Sequence, residues 1–344
     1  MRIMVTGGTG FAGSHSVRAF LAAGHSVRLL VRDPEKVRRV FDPLDLAIPE
    51  RDVIVGDITD AASVEAAMAG CDGVFHSAAL VDLRRSQARR VLDTNARGVE
   101  LIVGGAAQRG LPSIVYVSSA SVLFRPGLPE LHLGLPIADA TTAYAKSKAD
   151  AERSVRQLQD AGHPIRTSYP SGIIGPDDPG LTNSNYALYS FFAIAGVETS
   201  GTFQAVDVRD LAALHLRQLE LPEGPHRHIA AGPALPWPEF YRMLDQLIGY
   251  RLARIKLPGA VLRGSGIVGD WIKHVWDFDY PLTRDAMEFA THWPGIDGSP
   301  TTAELGIAFR PPVETYTDAL RWLVRAGHIE ARRIGKLGSA SARR

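Results

Sequence analysis

The sequence has a single cysteine and no long uninterrupted apolar run. Cys71 has no second thiol to pair with, so an intramolecular disulfide is excluded and a reducing compartment, the cytoplasm, is the expected location. A strand pattern that starts at Arg2 leaves no room for a signal peptide ahead of the fold. The most apolar late segment, residues 257–276, is interrupted by an arginine, an aspartate and a lysine, so no membrane span is expected there.

The chain also lacks a strong charge of either sign. Its formal net charge is +1, and the last fourteen residues, ARRIGKLGSASARR, carry five basic residues and no acid. Without those five charges the rest of the chain carries about −4, which excludes a basic surface for nucleic acid. We expect residues 331–344 to form a flexible basic tail.

Short apolar runs alternate with helical patterns in the first half of the chain. Six runs are typical of strands: residues 2–6, 27–31, 52–56, 73–77, 113–118 and 165–170. Helical patterns between them include residues 14–23 and 61–69, each followed by a glycine suited to a left-handed C-cap. This alternation predicts an α/β fold with a doubly wound parallel sheet of the Rossmann type.

The alternation of strand and helix patterns ends after Pro170, where segments rich in proline and glycine follow, with scattered helical patterns. We predict a dinucleotide-binding domain over residues 1–175, to which residues 203–232 and 306–328 return. Residues 176–202 and 233–305 are predicted to form a smaller, mostly helical substrate-binding lobe.

The segment VTGGTGFAGS leads from the first predicted strand directly into the first helix. Gly7, Gly10 and Gly13 allow a tight turn and a close approach of backbone to a pyrophosphate, which the N–H groups at the helix N-terminus, around Phe11 and Ala12, would bind. The position between strand and helix favours a dinucleotide-binding loop over an ordinary turn.

The helix that begins near Thr142 carries Tyr144 and Lys148 on the same face. A lysine on this otherwise apolar stripe is either a snorkelling side chain or a functional partner of the tyrosine. At about 4 Å, an ammonium would stabilise the phenolate by on the order of 4 kcal/mol and lower the pKa of the tyrosine. Tyr144 is therefore a candidate acid–base catalyst, and Ser118 or Ser119, at the end of the fifth strand, could hold a carbonyl oxygen beside it.

Taken together, TGGTGFAG, GDITD, HSAA, TNARGV, VSSASV, YAKSK and PSGIIGP resemble the extended short-chain dehydrogenase/reductases, of the NAD(P)-dependent epimerase/dehydratase type. Later segments, VDVRDLA and residues 303–327, extend the resemblance over most of the chain. The branch that it resembles is that of the dihydroflavonol-4-reductase-like enzymes. Two positions depart from the family pattern: Leu123-Phe124 replaces the usual Tyr-Gly, and Gly172 stands where sugar-nucleotide enzymes commonly carry an asparagine.

The resemblance implies a role for each matching residue. Tyr144 would be the general acid, Lys148 would lower its pKa and hold the nicotinamide ribose, Ser119 would orient the substrate oxygen, and Asn95 would be mainly architectural. The implied cofactor contacts are the glycine loop, Asp57 and Ile58 at the adenine, Ala78 and Ala79 near its ribose, and Pro170, Ser171 and Ile173 beside the nicotinamide. His76 is interpreted as strand packing rather than chemistry.

An acid at the end of the second strand is typical of NAD enzymes, but that position is Val31, followed by Arg32. Arg32, with Lys36 one turn later, suits the 2′-phosphate of NADP. Asp33 could turn to a ribose hydroxyl instead, or cap the helix that starts at Pro34. We favour NADP over NAD.

Three functions remain open from the sequence. The favoured one is an NADPH-dependent oxidoreductase that reduces an aldehyde or ketone of a small, hydrophobic substrate. The alternatives are an NAD-dependent nucleotide-sugar epimerase or dehydratase, and a non-catalytic NADP sensor. No metal site is predicted, and the resemblance implies a homodimer.

Overall fold

The computed structural model describes residues 1–222, 224–273, 275–276 and 282–341. Its centre is a sheet of seven parallel strands in the order β11-β6-β5-β4-β1-β2-β3. These strands are β1 (Arg2–Thr6), β2 (Ser26–Val31), β3 (Val53–Val55), β4 (Gly73–His76), β5 (Ser113–Val117), β6 (Ile165–Pro170) and β11 (His226–Ala230). The six strands expected from the first half of the chain are present, with ends shifted by at most one residue.

Helices cover both faces of this sheet. They are α1 (Phe11–Ala22), α2 (Pro34–Phe41), α3 (Ala61–Met68), α4 (Ala88–Val99), α5 (Gly105–Gln108), α6 (Ala143–Asp160) and α8 (Val208–Glu220), with a π-helical turn, Glu100–Gly104, between α4 and α5. Within β1, Met4 packs into a cluster with α3, α5 and α6, whereas Ile3 and Val5 pack into a second cluster with α1 and α2. Because neighbouring strand residues point to opposite faces, this division confirms the doubly wound α/β prediction.

The rest of the chain is mostly helical. It contains α7 (Asn183–Ala193), α9 (Trp237–Ile248), α10 (Gly259–Ile272), α11 (Arg284–His292), α12 (Ser299–Leu305), α13 (Pro312–Arg325) and α14 (Lys336–Ser341). Short paired strands join these helices: β7 (Gly172–Ile174) with β10 (Ala205–Asp207), β8 (Gly196–Glu198) with β13 (Arg254–Lys256), and β9 (Thr202–Phe203) with β12 (Leu235–Pro236).

Helix α13 lies where two parts of the molecule meet. Tyr316 and Leu320 are buried in one apolar cluster with Phe240 and Leu244 of α9. On its polar side, Asp318 accepts a hydrogen bond from Arg209 of α8 at 2.8 Å. The assignment of residues 306–328 to the dinucleotide-binding domain therefore stays a prediction, because α13 contacts both α9 and α8.

The prediction of a flexible tail is wrong for residues 331–341. Ile334 is fully buried, and Arg333 donates to the carbonyl oxygen of Phe192, at the end of α7, at 2.7 Å. Tyr250 donates in turn to the carbonyl oxygen of Arg333 at 2.7 Å. Ile334, with Leu337 partly buried beside the same apolar cluster, anchors a segment whose composition otherwise indicates disorder. The last three residues lie outside the described part of the chain.

Among the described residues, no helix has both the length and the apolar character needed to cross a membrane.

Candidate cofactor and catalytic site

The glycine loop connects β1 to α1 with a geometry that only glycine allows. Gly7 has a φ of +73°, and a Cβ there would lie 2.6 Å from the backbone nitrogen of Ala78. A Cβ on Gly13 would lie 2.0 Å from the carbonyl oxygen of Gly7. Gly10 precedes α1 without a side-chain cap, so no side chain covers the N–H groups at the start of this helix. The loop therefore presents open backbone donors to an anion.

A cleft with about 820 Å³ of empty space, partly open to solvent, lies above this loop at the carboxyl ends of the strands. Eight predicted cofactor residues line it: Gly7, Gly10, Arg32, Lys36, Asp57, Ile58, Ala78 and Ala79. The lining also includes Thr9, Leu30, Val31, Gly56, Ser77, Leu80 and Thr94, which the sequence analysis did not name as cofactor residues. Thr9 lies within the glycine motif, and Thr94 directly precedes Asn95. Both residues could therefore have been found from motifs that the sequence already shows.

The charged residues after β2 divide into two sets. Asp33 caps α2 by accepting from the backbone N–H groups of Glu35 at 3.0 Å and Lys36 at 3.3 Å, and it accepts from Arg39 at 2.5 Å. Its carboxylate is thus engaged at the helix and does not need a ribose hydroxyl as partner. Arg32 and the side chain of Lys36, by contrast, line the cleft, and neither makes a side-chain hydrogen bond or ion pair within the described residues.

Asp57 lies on the same cleft with a lowered pKa. Its partial burial acts against this direction, but hydrogen bonds from the backbone and side chain of Thr59 and the positive charges of Arg32 and Arg90 outweigh it. The cleft therefore combines an ionised carboxylate with unpaired cations, as a dinucleotide with separate hydroxyl and phosphate groups would require.

Tyr144 and Lys148 lie in the first two turns of α6, where Thr142 is the N-cap. Lys148 is buried and donates from Nζ to the carbonyl oxygen of Val117 at 3.2 Å. Burial lowers the pKa of Lys148 to about 8, although the carboxylate of Glu152 acts in the opposite direction. The side chain of Tyr144 is half-buried, between the protein interior and solvent.

The pKa of Tyr144 differs from the sequence-based expectation. Burial raises it above its usual value, whereas we expected the ammonium of Lys148 to lower it. The physical reason is that this ammonium donates to the Val117 carbonyl, while the phenol loses hydration. In the cofactor-free protein, Tyr144 is therefore a protonated phenol at neutral pH.

The two serines after β5 have different surroundings. Ser118 is buried and donates to Glu152 at 2.7 Å; Glu152 is fully buried and also accepts from Arg156 at 2.9 Å and from the Tyr169 hydroxyl. Ser119 is only partly buried, and its Oγ accepts from the backbone N–H of Ser121 at 3.2 Å. Since Ser118 belongs to an internal network, Ser119 is the better candidate to meet a substrate.

Asn95 connects α4 with two other elements. Its Oδ1 accepts from the backbone N–H of Leu80 at 2.7 Å, and its Nδ2 donates to the Leu80 carbonyl at 3.0 Å and to the Ser147 hydroxyl at 2.9 Å. Leu80 lines the cleft and Ser147 precedes Lys148 in α6. Asn95 thus fixes one wall of the cleft against the helix that carries Tyr144.

The residues predicted beside the nicotinamide follow the carboxyl end of β6 and are not in the lining of the cleft: β6 ends at Pro170, and Ser171 donates its backbone N–H to the carbonyl oxygen of Ala230 at 3.0 Å. Ile173 follows within β7. His76 lies in the sheet: its Nδ1 is 2.7 Å from Thr6 Oγ1, its ring stacks on that of Tyr116, and burial lowers its pKa to about 3. These contacts are those of a neutral packing residue.

A comparison with known proteins agrees with this arrangement. The model of the NAD dependent epimerase/dehydratase family matches residues 3–232, which contain all seven strands of the central sheet, from β1 to β11. The chain belongs to this family. It is an NAD(P)-dependent oxidoreductase of the extended short-chain dehydrogenase/reductase type, with relatives in the dihydroflavonol-reductase-like branch.

Several members of the family align with almost the whole chain. A putative dihydroflavonol 4-reductase from Synechocystis sp. is 33% identical over 337 residues, which is 95% of each chain. Sterol demethylase protein B from Methylococcus capsulatus is 26% identical over 340 residues, 96% of this chain and all of the relative. The crystal structure of gox2253 is 26% identical, with a TM-score of 0.78 over 95% of this chain and 99% of the other.

Members of the epimerase/dehydratase family bind a nicotinamide cofactor, and the residues of this chain fit one. At Gly7 and Gly13 the glycine loop has no room for a side chain, so only backbone lies beside the start of α1. The cleft extends from this loop past Arg32 to Ala79. Backbone donors at α1 suit the pyrophosphate, and the groups around Asp57 suit the adenosine half of the dinucleotide.

Proposed function

We propose that this protein is an NADPH-dependent reductase of aldehydes or ketones, with Tyr144 as the general acid. The observation that carries the cofactor choice is the division of charges after β2. Asp33 is held as a helix cap and by Arg39, while Arg32 and Lys36 line the cleft and make no side-chain hydrogen bond or ion pair within the described residues. Two unpaired cations favour a 2′-phosphate over a 2′-hydroxyl.

The chain's own residues would carry the proton side of the reaction. A bound nicotinamide supplies the hydride for the carbonyl carbon. The carbonyl oxygen then takes the phenolic proton of Tyr144, so the carbonyl becomes an alcohol. Ser119 would hold that oxygen by a hydrogen bond, and the buried Lys148 would stabilise the phenolate that remains. The raised pKa of Tyr144 supports this role, because an acid must keep its proton until the hydride arrives.

The surroundings of Ser119 favour an apolar substrate. Leu123 is fully buried beside it, and the ring of Phe124 lies 5.3 Å from that of Phe289 and 5.7 Å from that of Trp293. These rings bring α11 against the segment that follows β5, where a substrate would enter. The sterol named for one relative is largely apolar, in agreement with this lining.

A nucleotide-sugar substrate has less support. At position 172 a Cβ would lie 3.0 Å from the carbonyl oxygen of Gln204 and 3.3 Å from the Ser184 hydroxyl. An asparagine there, as the sugar-nucleotide enzymes commonly have, would require this wall to move.

The test is a titration of the nucleotide-free protein with NADPH and with NADH, followed by nicotinamide fluorescence. We expect NADPH to bind at least about tenfold more tightly than NADH, because its 2′-phosphate can form at least one hydrogen bond between charged groups that the 2′-hydroxyl of NADH cannot form. Equal affinities, or NAD released when the pure protein is denatured, would exclude the exchangeable reductase and favour an epimerase. NADPH binding without turnover of any apolar aldehyde or ketone would favour a sensor.

A further inference from the structure

Two histidines and a glutamate meet at one edge of the sheet, on the outer strand β11. His226 and His228 are two residues apart on this strand, so their side chains share a face, and their rings stack 5.8 Å apart at an angle of 10°. Glu304, from α12, approaches the same face. The cofactor cleft has none of these residues in its lining.

The three side chains are spaced as metal ligands. Glu304 Oε1 lies 3.2 Å from Nδ1 of His226 and 3.3 Å from Nε2 of His228. All three ligand atoms lie within 4.8 Å of one another. Tetrahedral ligands at about 2.1 Å from Zn²⁺ are about 3.4 Å apart, so the two separations from Glu304 already match, and the two histidine nitrogens, at most 4.8 Å apart, would move toward each other on binding.

His228 supplies an independent observation. It is fully buried, and its Nε2 lies 3.3 Å from Glu304 Oε1 but makes no hydrogen bond of good geometry to any described residue. A buried nitrogen that lacks a hydrogen bond is unfavourable, and a bound ion would use its lone pair.

Gln218, on α8, lies behind His228 and can fix its tautomer. Its side-chain amide is 3.0 Å from Nδ1 of His228, and the amide is buried with its Oε1 unpartnered among the described residues. Turning the amide over places Oε1 as acceptor for a proton on Nδ1, which leaves the lone pair of Nε2 directed at Glu304.

We propose that His226, His228 and Glu304 form a binding site for a divalent transition-metal ion, with water completing the coordination. Two imidazoles and one carboxylate suit Zn²⁺ and its neighbours better than Mg²⁺ or Ca²⁺, which prefer oxygen ligands alone. The ion would join the edge strand to α12, where Ile229 already donates its backbone N–H to Thr301 Oγ1 at 2.9 Å. The site is structural and independent of the proposed reductase activity.

The test uses the full-length, metal-free protein without a histidine tag. Zn²⁺ is titrated in competition with a chromophoric chelator, and we expect one equivalent to bind. The variants His226→Ala and Glu304→Gln change partly exposed side chains and should weaken this binding at least tenfold, since losing even a residue that only hydrogen-bonds to a metal ligand costs about that much. Zn²⁺ should also raise the Tm of the unmodified protein but not that of the two variants.

His292→Ala is the matched control, because its Nδ1 also contacts a glutamate, Glu288, at 2.6 Å but has no second histidine beside it. This variant should keep the Zn²⁺ affinity and the Tm increase. Failure of the unmodified protein to compete for one equivalent of Zn²⁺ would overturn the proposal. Unchanged affinity in both ligand variants would do the same, since the ion would then be bound elsewhere.

Discussion

Replacing Arg32 by alanine should remove most of the preference for NADPH. The guanidinium lines the cleft and makes no side-chain hydrogen bond or ion pair in the described part of the chain, so its loss breaks no internal hydrogen bond and removes only one of the charges that lower the pKa of Asp57. A hydrogen bond between charged groups contributes about 1.5–3 kcal/mol. Because Arg32 is exposed, solvent screening places the effect at the lower end, a loss of about ten- to thirtyfold in NADPH affinity.

The affinity for NADH should change by less than about twofold, because a 2′-hydroxyl offers no charge for Arg32 to meet. Lys36 should retain part of the preference, so the double variant Arg32→Ala/Lys36→Ala is expected to bind both cofactors equally. The measurement is a fluorescence titration of each nucleotide-free protein with both cofactors at low and moderate salt. The difference between the cofactors should shrink as salt rises.

Arg38→Ala is the matched control for net charge. Arg38 lies on α2, the helix that carries Lys36, and is exposed, 3.7 Å from Glu35 and away from the cleft lining. It should leave the NADPH-to-NADH ratio unchanged. An unchanged ratio in Arg32→Ala, or an equal fall in Arg38→Ala, would refute the assignment of the 2′-phosphate to Arg32.

Three further predictions concern α6 and its neighbours. Tyr144→Phe should lower turnover by at least about a hundredfold while leaving NADPH affinity within about twofold, as measured by NADPH oxidation and fluorescence. Asn95→Ala removes three hydrogen bonds and should lower the free energy of unfolding in urea by about 1–3 kcal/mol and weaken NADPH binding. The pKa of Lys148 is about 8 in the folded protein and near 10.5 when unfolded, so the unfolded chain binds more protons between these values. The destabilisation from Lys148 should therefore fade as pH rises from 8 to 10.5, which Lys148→Met, measured beside the unmodified protein, would show as a shrinking difference in stability.

Each of these variants has a control of the same residue type. Tyr186 and Asn183 are exposed on α7, so Tyr186→Phe and Asn183→Ala should change neither turnover nor stability. Lys146→Met, on the exposed face of α6, should show the same pH dependence of stability as the unmodified protein. Turnover retained in Tyr144→Phe would show that another group supplies the proton. A stability difference for Lys148→Met that does not vary with pH would contradict the buried ammonium.

The sheet and the cofactor cleft could be predicted because their signals are local. The positive φ of Gly7 and the close approach of Gly13 to the Gly7 carbonyl are constraints that act over a few residues. Tyr144 and Lys148 share a face through helix periodicity alone. The pKa of Tyr144 could not be predicted, because the acceptor of the Lys148 ammonium, the Val117 carbonyl, lies on another element. The family resemblance favoured Ser119 over Ser118, but the physical reason could not be predicted, because it lies in Glu152, a buried carboxylate 34 residues beyond Ser118.

The cluster of His226, His228 and Glu304 could likewise be predicted only in part from the sequence. The spacing of His226 and His228 is visible in the sequence as H-x-H, which on a strand places both rings on one face. Glu304 is 78 residues beyond His226, and nothing near it in the sequence marks it as a partner. Only the packing of α12 on the edge strand brings the third side chain into place.

The ordered segment after Glu330 has a practical consequence for handling the protein. Arg333 closes the carboxyl end of α7 from a distance of 141 residues, and Ile334 fills an apolar cluster that α9 and α13 share. A chain shortened at residue 330 would uncover that cluster and free the last carbonyl groups of α7, so it should aggregate or be cleaved by proteases more readily. Affinity tags and fusion partners are better joined beyond residue 341, where the anchored segment is left intact.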